Sequence, residues 1–380
     1  MNTNDLHIWM NIPSFHQHDL FSELTKKYDT FEVVFAHSQD KNRINQGWNF
    51  EKIKDYESKT IGMDLSPWAL IPYVLKNRKA THIVNGIWAE KSFLFVLILL
   101  NIFRSNFLIY SEAPVPSKKR NFIKTAILKF MVKPFAELLI IRAKGFLAVS
   151  VFAVEYFKSL GAKSAKIYRF GYFRTVKNLI QNPSNKKYTE LIFVGQLIER
   201  KGISTLLEAI EVVTKANNNF HLTVIGTGKL KPVLKEFINQ NHLQNTVTLL
   251  GVINAENITD YLEKADLLIL PSIFDGWGMV VNEALQSHIP VLVSDKCGAK
   301  ELVKHQKNGL IFEGNDIKSL IENIQFFLQL SPAEKDVMKN YASDMGEKIS
   351  IPIVSNYLSL CVNHCLRPQT IKPNAPWLDE

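Results

Sequence analysis

The sequence predicts an α/β protein of two doubly wound lobes, each a parallel sheet with helices packed on its faces. Three observations carry this. Apolar runs of about four or five residues alternate with helix-like stretches, as parallel strands joined by helical crossovers do. The 380 residues exceed one ordinary core on a scale of roughly 150 residues per domain. The loops that follow the second-half strands combine glycine, lysine and carboxylates, the chemistry found where open α/β sheets bind ligands.

In the first half the expected strands are Leu6–Met10, Phe31–Phe35, His82–Asn85, Phe107–Tyr110 and Gly145–Val149, with helical stretches between most of them. The apolar run Phe93–Leu100 falls far short of the ~20 residues a membrane span needs. Asn101 and Arg104 close it, so it reads as a buried crossover helix. In the second half the strands are Leu191–Val194, Leu222–Ile225, Val247–Leu250, Leu267–Leu270 and Val291–Val293, each followed by a helix-like segment. The polar, aperiodic stretch from Thr175 to Tyr188, with Pro183, reads as the linker. The expected division is residues 1–180, residues 181–350, and a closing segment 351–380. That last segment carries a helix around Val354–His364 that crosses back onto the first lobe, then an irregular tail.

Hydrophobic residues make up 46% and charged residues 21% of the chain, which fits a compact globular body and excludes a disordered one. No repeat of 20 to 50 residues is present, which argues against a solenoid. The three cysteines, Cys297, Cys361 and Cys365, match no zinc or redox spacing, and no leader stretch opens the chain. The expectation is therefore a reducing, cytoplasmic setting without structural disulfides. Cys361 and Cys365, one helical turn apart, are expected on a buried helix face.

The net charge of +9 is unevenly placed. Between Ser117 and Lys144, Lys118, Lys119, Arg120, Lys124, Lys129, Lys133, Arg142 and Lys144 face a single acid, Glu137. They interleave with Phe122, Ile123, Ile127, Leu128, Phe130, Met131, Phe135, Leu138 and Leu139, so residues 117–144 read as a basic amphipathic helix or helix pair broken near Pro134. Such a surface suits anionic lipid headgroups. A solvated face and a nucleic-acid surface are the alternatives, and no recognised nucleic-acid module supports the second, so no nucleic-acid partner is expected.

The most informative stretch is Pro271-Ser-Ile-Phe-Asp-Gly-Trp-Gly-Met-Val-Val-Asn-Glu283. It places Asp275 and Glu283 around a Gly276-Trp277-Gly278 turn, between an apolar strand and a helix that begins near Met279. Glycines let the backbone approach a ligand, a helix start offers N–H groups to a diphosphate, and two carboxylates can accept hydrogen bonds from sugar hydroxyls. Gly195-Gln196-Leu-Ile-Glu-Arg-Lys201-Gly202 follows the first strand of this lobe and offers a lysine for phosphate. Gly226-Thr-Gly228-Lys229 follows the second, and Ser294-Asp-Lys-Cys-Gly298 leads to Glu301 after the fifth. Singly, each is ordinary turn chemistry, a solvated lysine or a helix cap. Together they present small, basic and acidic groups at strand C-termini of one lobe. Neither the dinucleotide nor the P-loop glycine pattern is complete, which disfavours those readings.

These motifs resemble the retaining glycosyltransferases of family 4 over about residues 190 to 315. The resemblance rests on Asp275-x7-Glu283 with its Pro-Ser lead, Phe193-Val-Gly195 through Glu199-Arg-Lys201-Gly202, Val224-Ile-Gly226-Thr-Gly228, Val247-Thr-Leu-Leu-Gly251, and Pro290-Val through Gly298 to Glu301. It implies the GT-B architecture, two Rossmann-like domains facing a central cleft, with acceptor bound by residues 1–180 and nucleotide-sugar donor by 181–350. Carried over, Lys201 holds the donor diphosphate, Glu283 the ribose and Asp275 the transferred sugar. The backbone of Gly276, Trp277, Gly278 and Met279 lies under the sugar and phosphates, and Gly195, Gln196, Gly226 and Gly228 complete the donor side. It further implies a UDP- or GDP-sugar donor, no cofactor, no metal, and retention by front-face departure without a protein nucleophile. Asp275 stands where the family has Glu, Gln196 where Arg is common, and Phe170-Gly171 where Asn-Gly is usual.

The first half matches loosely. It has Asn11-Ile-Pro-Ser-Phe-His16 where a double-glycine loop is common, and Glu112 in a loop where many relatives place a histidine. His16, His18, Asn85, Trp88 and Glu112 are the candidate acceptor residues, Glu112 also as a catalytic group beside Asp275 and Lys201. The expected activity is transfer to a growing, lipid-linked or other glycan at the inner face of the plasma membrane, in assembly of a bacterial surface polysaccharide such as capsule or O-antigen. A soluble sugar or sugar-phosphate glycoside synthase and a non-catalytic GT-B binding subunit are the competing readings.

Overall fold

The computed structural model describes residues 4–38, 55–115, 133–176, 188–217, 219–254 and 257–378. The described residues divide into two compact units, one formed by those within 4–174 and 351–378 and the other by those within 175–350.

The first unit is a seven-stranded sheet of β1 (Asp5–Met10), β2 (Thr30–Phe35), β3 (Glu57–Thr60), β4 (Thr81–Asn85), β5 (Asn106–Glu112), β6 (Gly145–Val149) and β7 (Ile167–Phe170). Its order is β3-β2-β1-β4-β5-β6-β7 and every pairing is parallel. Continuous apolar strands such as Phe107-Leu-Ile-Tyr110 are buried on both faces, as a parallel sheet covered by helices requires. The covering helices are α1 (Phe15–Leu24), α2 (Leu70–Lys76), α3 (Lys91–Ile102), α4 (Lys133–Ile140) and α5 (Ser150–Ser159). The run Phe93–Leu100 lies inside α3, where Phe93, Val96, Leu97 and Leu100 are buried. Among the described residues no single helix is long and apolar enough to cross a membrane.

The second unit is a six-stranded parallel sheet of β8 (Thr189–Val194), β9 (Phe220–Ile225), β10 (Val247–Gly251), β11 (Leu267–Leu270), β12 (Val291–Ser294) and β13 (Gly309–Phe312), in the order β10-β9-β8-β11-β12-β13. Its helices are α6 (Ile203–Ala216), α7 (Lys231–Gln240), α8 (Ile258–Leu262), α9 (Val280–Gln286), α10 (Ile317–Gln329) and α11 (Pro332–Lys348). Strand order reverses between β1 and β4 in one sheet and between β8 and β11 in the other. Such a reversal opens a crevice at the strand C-termini, where doubly wound folds bind ligands.

Helix α12 (Ile351–Leu366) packs in the first unit against α1. The Tyr357 hydroxyl donates to the Arg169 carbonyl at 3.0 Å, Tyr28 bonds Ser359 at 3.4 Å, and Trp377 in the tail packs on Phe173 and Tyr357. Gly145 makes room for this helix, since a Cβ there would lie 2.3 Å from the Cys365 sulfur. Cys361 and Cys365 are buried free thiols.

Three edge strands are short, and in β3 the hydrophobic signal is weak as well. β3 reads Glu-Ser-Lys-Thr and is an edge that, among the described residues, pairs only to β2. β7 and β13 have four residues each and are likewise edges. β3 exists because β2 offers it unpaired backbone groups, a condition local hydrophobicity does not record.

A buried polar network crosses the first sheet. Glu32, 4% exposed, is hydrogen-bonded by Lys59 and the Tyr73 hydroxyl, and His7 Nδ1 lies 3.4 Å from it. Burial alone would raise this carboxyl, but His7, Lys59 and Tyr73 outweigh it and bring it down to about 2. His82 is fully buried, accepting from Trp9 Nε1 at 3.2 Å through Nδ1 and bonding the Asn77 carbonyl at 3.1 Å through Nε2. Burial, with His7 nearby, lowers it to about 3.

Both groups therefore weaken the fold in acid. Unfolded His82 takes up a proton near its ordinary value of about 6.5, whereas folded His82 does not until about 3, so stability falls across that window. The Glu32 contribution is complete above the ordinary carboxylate range and is lost as pH falls through about 2. Urea midpoints measured from pH 7 to pH 3 are expected to fall steadily, and His82→Gln is expected to flatten the upper part of that curve.

Candidate functional site

At the C-terminal ends of β8 and β11, either side of the strand reversal, two loops are joined backbone to backbone. The Ile273 N–H donates to the Arg200 carbonyl at 2.9 Å. Gly202, at φ 68°, sits so close that a Cβ would lie 1.9 Å from the Pro271 carbonyl oxygen. Only glycine allows both the left-handed backbone and that approach. The β9 loop closes in the same way, since a Cβ on Gly226 would meet the Gly195 oxygen at 1.9 Å and one on Gly228 the Leu197 oxygen at 2.4 Å. Leu197 N–H donates to Thr227 O at 2.9 Å and Leu230 N–H to Leu197 O at 3.0 Å. These glycines therefore hold the loops together.

This closure brings Lys201 onto Asp275. The ammonium bonds Asp275 Oδ2, and the Arg200 guanidinium stands 3.6 Å from Oδ1 while donating to the Phe274 carbonyl at 3.0 Å. Asp275 is 8% exposed, so a cation at each oxygen offsets much of the cost of taking the charge out of water. Arg200 has no part in the expectations drawn from the sequence. Its only signal is its place beside Lys201 in Glu199-Arg-Lys. The 3-10 turn Glu199–Lys201, closed by left-handed Gly202, is what lets two adjacent cations address one carboxylate.

The Gly276–Gly278 turn is fixed from below. Asp275 N–H donates to Lys296 O at 3.1 Å, Gly298 N–H to Asp275 O at 2.9 Å and Ala299 N–H to Trp277 O at 2.7 Å, which ties the turn to the loop after β12. The Cys297 thiol donates to Trp277 O at 2.8 Å and is raised by burial first and by the Asp275 charge second, so it stays a thiol. Trp277 is 2% exposed and its Nε1 donates to Asn282 Oδ1 at 2.8 Å, so the indole is a peg under the turn and only its backbone is left for a ligand. Gly278 has φ 97°, and a Cβ there would meet Cys297 Sγ at 2.6 Å. Met279 precedes α9, and Glu283, in the first turn of that helix, is buried like Asp275. Gln196 follows Gly195 in the β8 loop, and Asp295 is held below its ordinary range despite burial by Lys296, the Gly314 N–H and Lys300. Lys201, Arg200 and Asp275 are thus drawn together on a frame that also carries Glu283 and the glycine turn.

In the first unit, His16, Asn85, Trp88 and Glu112 lie at or just after the C-terminal ends of β1, β4 and β5. Asn85 Nδ2 donates to Asn11 Oδ1 at 3.4 Å, and Trp88 packs its ring on Phe135 at 6.2 Å. Exposed Glu112 is hydrogen-bonded with Tyr172, which also bonds Tyr110. Tyr110 in turn donates to Gly171 O at 3.0 Å and contacts Gln17 at 3.5 Å. Burial first and the Glu112 charge next push the Tyr172 hydroxyl well up, so it remains a proton donor to the carboxylate. His18 is placed elsewhere, against Tyr56 and 3.6 Å from Asp55 ahead of β3. Of the basic segment, residues 117–132 lie outside the described residues. Among the described residues no group of three or more His, Cys, Asp or Glu is placed to hold a metal ion.

Residues 177–345 match the family model of the glycosyl transferases group 1. That span contains every donor-side residue named above. Curated relatives include the amylovoran biosynthesis glycosyltransferase AmsK of Erwinia amylovora, 31% identical over 154 residues, 39% of this chain and 37% of AmsK. An uncharacterized glycosyltransferase of Methanocaldococcus jannaschii is 28% identical over 306 residues, 74% of this chain and 73% of its own. Apart from the latter, the chain spans less than half the length of these curated relatives. Among solved structures, the lipopolysaccharide outer core galactosyltransferase WaaB superposes with TM-score 0.71 at 15% identity over 96% of this chain and all of WaaB. Anabaena HepE in complex with UDP gives TM-score 0.71 at 15% identity over 93% of this chain and 98% of HepE. The fold is therefore GT-B, with two Rossmann-like domains.

The close approach at Gly202 is testable on stability. At Gly161, with φ 82°, a Cβ would meet nothing within 4 Å, so Gly161→Ala is expected to cost only the left-handed backbone penalty of about 1 kcal/mol. Gly202→Ala adds a clash with the Pro271 carbonyl and is expected to cost about 3 kcal/mol or more. Equilibrium urea unfolding of the two variants checks the difference.

Proposed function

We propose that this protein is a retaining glycosyltransferase that moves a sugar from a nucleoside-diphosphate sugar to a glycan acceptor in the biosynthesis of a surface polysaccharide. The observation that carries this is the Lys201–Asp275–Arg200 constellation at the strand reversal, inside the segment that matches the glycosyl transferases group 1 model. The bound UDP of the HepE structure and the polysaccharide named for AmsK support the donor class and the pathway class.

In this reading Lys201 leaves Asp275 in part to meet the donor diphosphate, and Arg200 supplies a second positive charge that Gln196 cannot. Asp275 receives hydroxyls of the transferred sugar, and Glu283 the ribose hydroxyls. Positive charge set where the leaving diphosphate gains negative charge lowers the barrier, because the loops are already organised around it. The anomeric carbon–oxygen bond to phosphate breaks as the acceptor oxygen bonds the same face. The acceptor proton passes to the departing phosphate oxygen, with configuration retained and no metal or covalent enzyme intermediate. Glu112, with Tyr172 donating to it, orients the acceptor hydroxyl. The acceptor is lipid-linked, and the basic stretch 117–144 keeps the protein peripheral at the inner face of the plasma membrane.

Incubation with a panel of UDP- and GDP-sugars and lipid-linked glycans is expected to give transfer with at least one donor, or slow donor hydrolysis without acceptor. Lys201→Ala is expected to lower kcat by about 100-fold or more, as loss of a charge-stabilising donor does elsewhere. Arg200→Gln is expected to lower it by about tenfold, a smaller effect because its side chain is more exposed. Glu283→Ala is expected to weaken nucleotide binding measured by calorimetry. Neither transfer nor hydrolysis with any donor, and undiminished nucleotide binding in Glu283→Ala, would sink the proposal.

A further inference from the structure

On the first unit, helix α2 and the 3-10 turn Pro67–Ala69 before it bury one side and present an apolar side to solvent. Leu70 and Val74 are in the core, whereas Met63 is 75%, Trp68 81%, Ile71 37% and Leu75 41% exposed. Steps of three and four residues set Trp68, Ile71 and Leu75 in one row. Single exposed apolar residues are ordinary, but a row headed by a tryptophan marks a contact surface. The row ends in exposed Lys76, Arg78 and Lys79, and no acid occurs from Leu65 to Ala80.

Helix α4 repeats the arrangement. Ala136, Leu139 and Ile140 are buried, Phe135, Leu138 and Ile141 are exposed, and exposed Arg142 and Lys144 follow. Helix α3 lies between, packed on α2 and on α4. Both outer helices connect parallel strands, β3 to β4 and β5 to β6, so they run in the same direction and their cationic ends lie toward the same end of the sheet, that of the strand N-termini. Two apolar rows with tryptophan on one and cations at matching ends complement an anionic bilayer, where aromatic rings sit at the headgroup boundary and lysines and arginines meet the headgroups.

We propose that α2 and α4 together form a bilayer-docking face, with Trp68 as its interfacial anchor. This adds Met63–Lys79 to the membrane contact proposed for residues 117–144, and it rests on that attachment but not on catalysis.

The test uses the full chain with phosphatidylcholine–phosphatidylglycerol vesicles carrying brominated acyl chains, which quench tryptophans that enter the bilayer. Binding is expected to quench emission, and the Trp68 share of that quenching is expected to vanish in Trp68→Phe. Ile71→Ser/Leu75→Ser is expected to weaken vesicle binding by about tenfold or more with unchanged far-ultraviolet circular dichroism. Vesicles of phosphatidylcholine alone are expected to bind far more weakly. Binding with equal quenching in wild type and Trp68→Phe, lost on neutralising Lys118, Lys119, Arg120 and Lys124, would overturn the α2 contact while leaving attachment through 117–144 standing. Failure of the wild type to bind any vesicle would overturn both. A dimer in sedimentation velocity that dissociates in Ile71→Ser/Leu75→Ser, with vesicle binding unaltered, would make the face a self-association surface and overturn the proposal.

Discussion

A carboxylate that is 8% exposed must be met by charge and hydrogen bonds or it destabilises the fold by several kcal/mol. Asp275 meets that requirement through Lys201 and Arg200, and the loops after β8 and β11 are shaped around it. Gly202 has to be glycine for the two backbones to come close enough, Trp277 has to be buried to support the turn, and Cys297 has to stay a thiol to donate to the Trp277 carbonyl. In the proposed function the cations that neutralise Asp275 are also those that meet the donor diphosphate. The charge balance of the fold and the charge of the candidate site thus rest on the same groups.

The first unit distributes its polar groups differently. Glu32, His7 and Tyr73 are enclosed among β1, β2 and α2, where they satisfy one another and tie helix α2 to the sheet, with His82 stacked on His7 and bonded to Trp9 and Asn77. That anchorage matters for the outer side of α2. A helix whose inner face is held by packing and by the Tyr73–Glu32 bond can carry an apolar outer row. At the strand C-termini, Glu112, Tyr172, Tyr110 and Gln17 form a second chain of hydrogen bonds that holds a carboxylate at the rim.

Much of this was legible in the residues. Apolar runs buried on both faces announce themselves, because burial on both sides leaves no room for polar residues, and Phe107–Tyr110 of β5 and Leu267–Leu270 of β11 are examples. The strand-end chemistry of Asp275, Glu283 and Lys201 was legible only in combination, since a glycine turn beside a charge is ordinary by itself and gains meaning when several share the strand ends of one lobe. β3 was not legible, for Glu57-Ser-Lys-Thr60 is a strand only because β2 lies beside it. Nor was Arg200, whose direction depends on a 3-10 turn and a left-handed glycine, or His18, whose ring is drawn to Tyr56 and Asp55 by the packing of α1.

The sequence by itself determined the class of fold, the parallel alternation of strand and helix, and the loops that carry charge, because hydrophobic period and turn chemistry are local properties of the chain. Only the tertiary structure decided which charges meet. Lys201 and Asp275 are 74 residues apart and become partners because the strand order reverses between β8 and β11. The indole of Trp277 becomes a support and not a surface because Asn282 and the core lie beneath it. The solvent-facing row on α2 exists because the sheet takes Leu70 and Val74 and leaves Trp68, Ile71 and Leu75 outside. Each of these depends on which elements are neighbours in space, and sequence spacing does not contain that information.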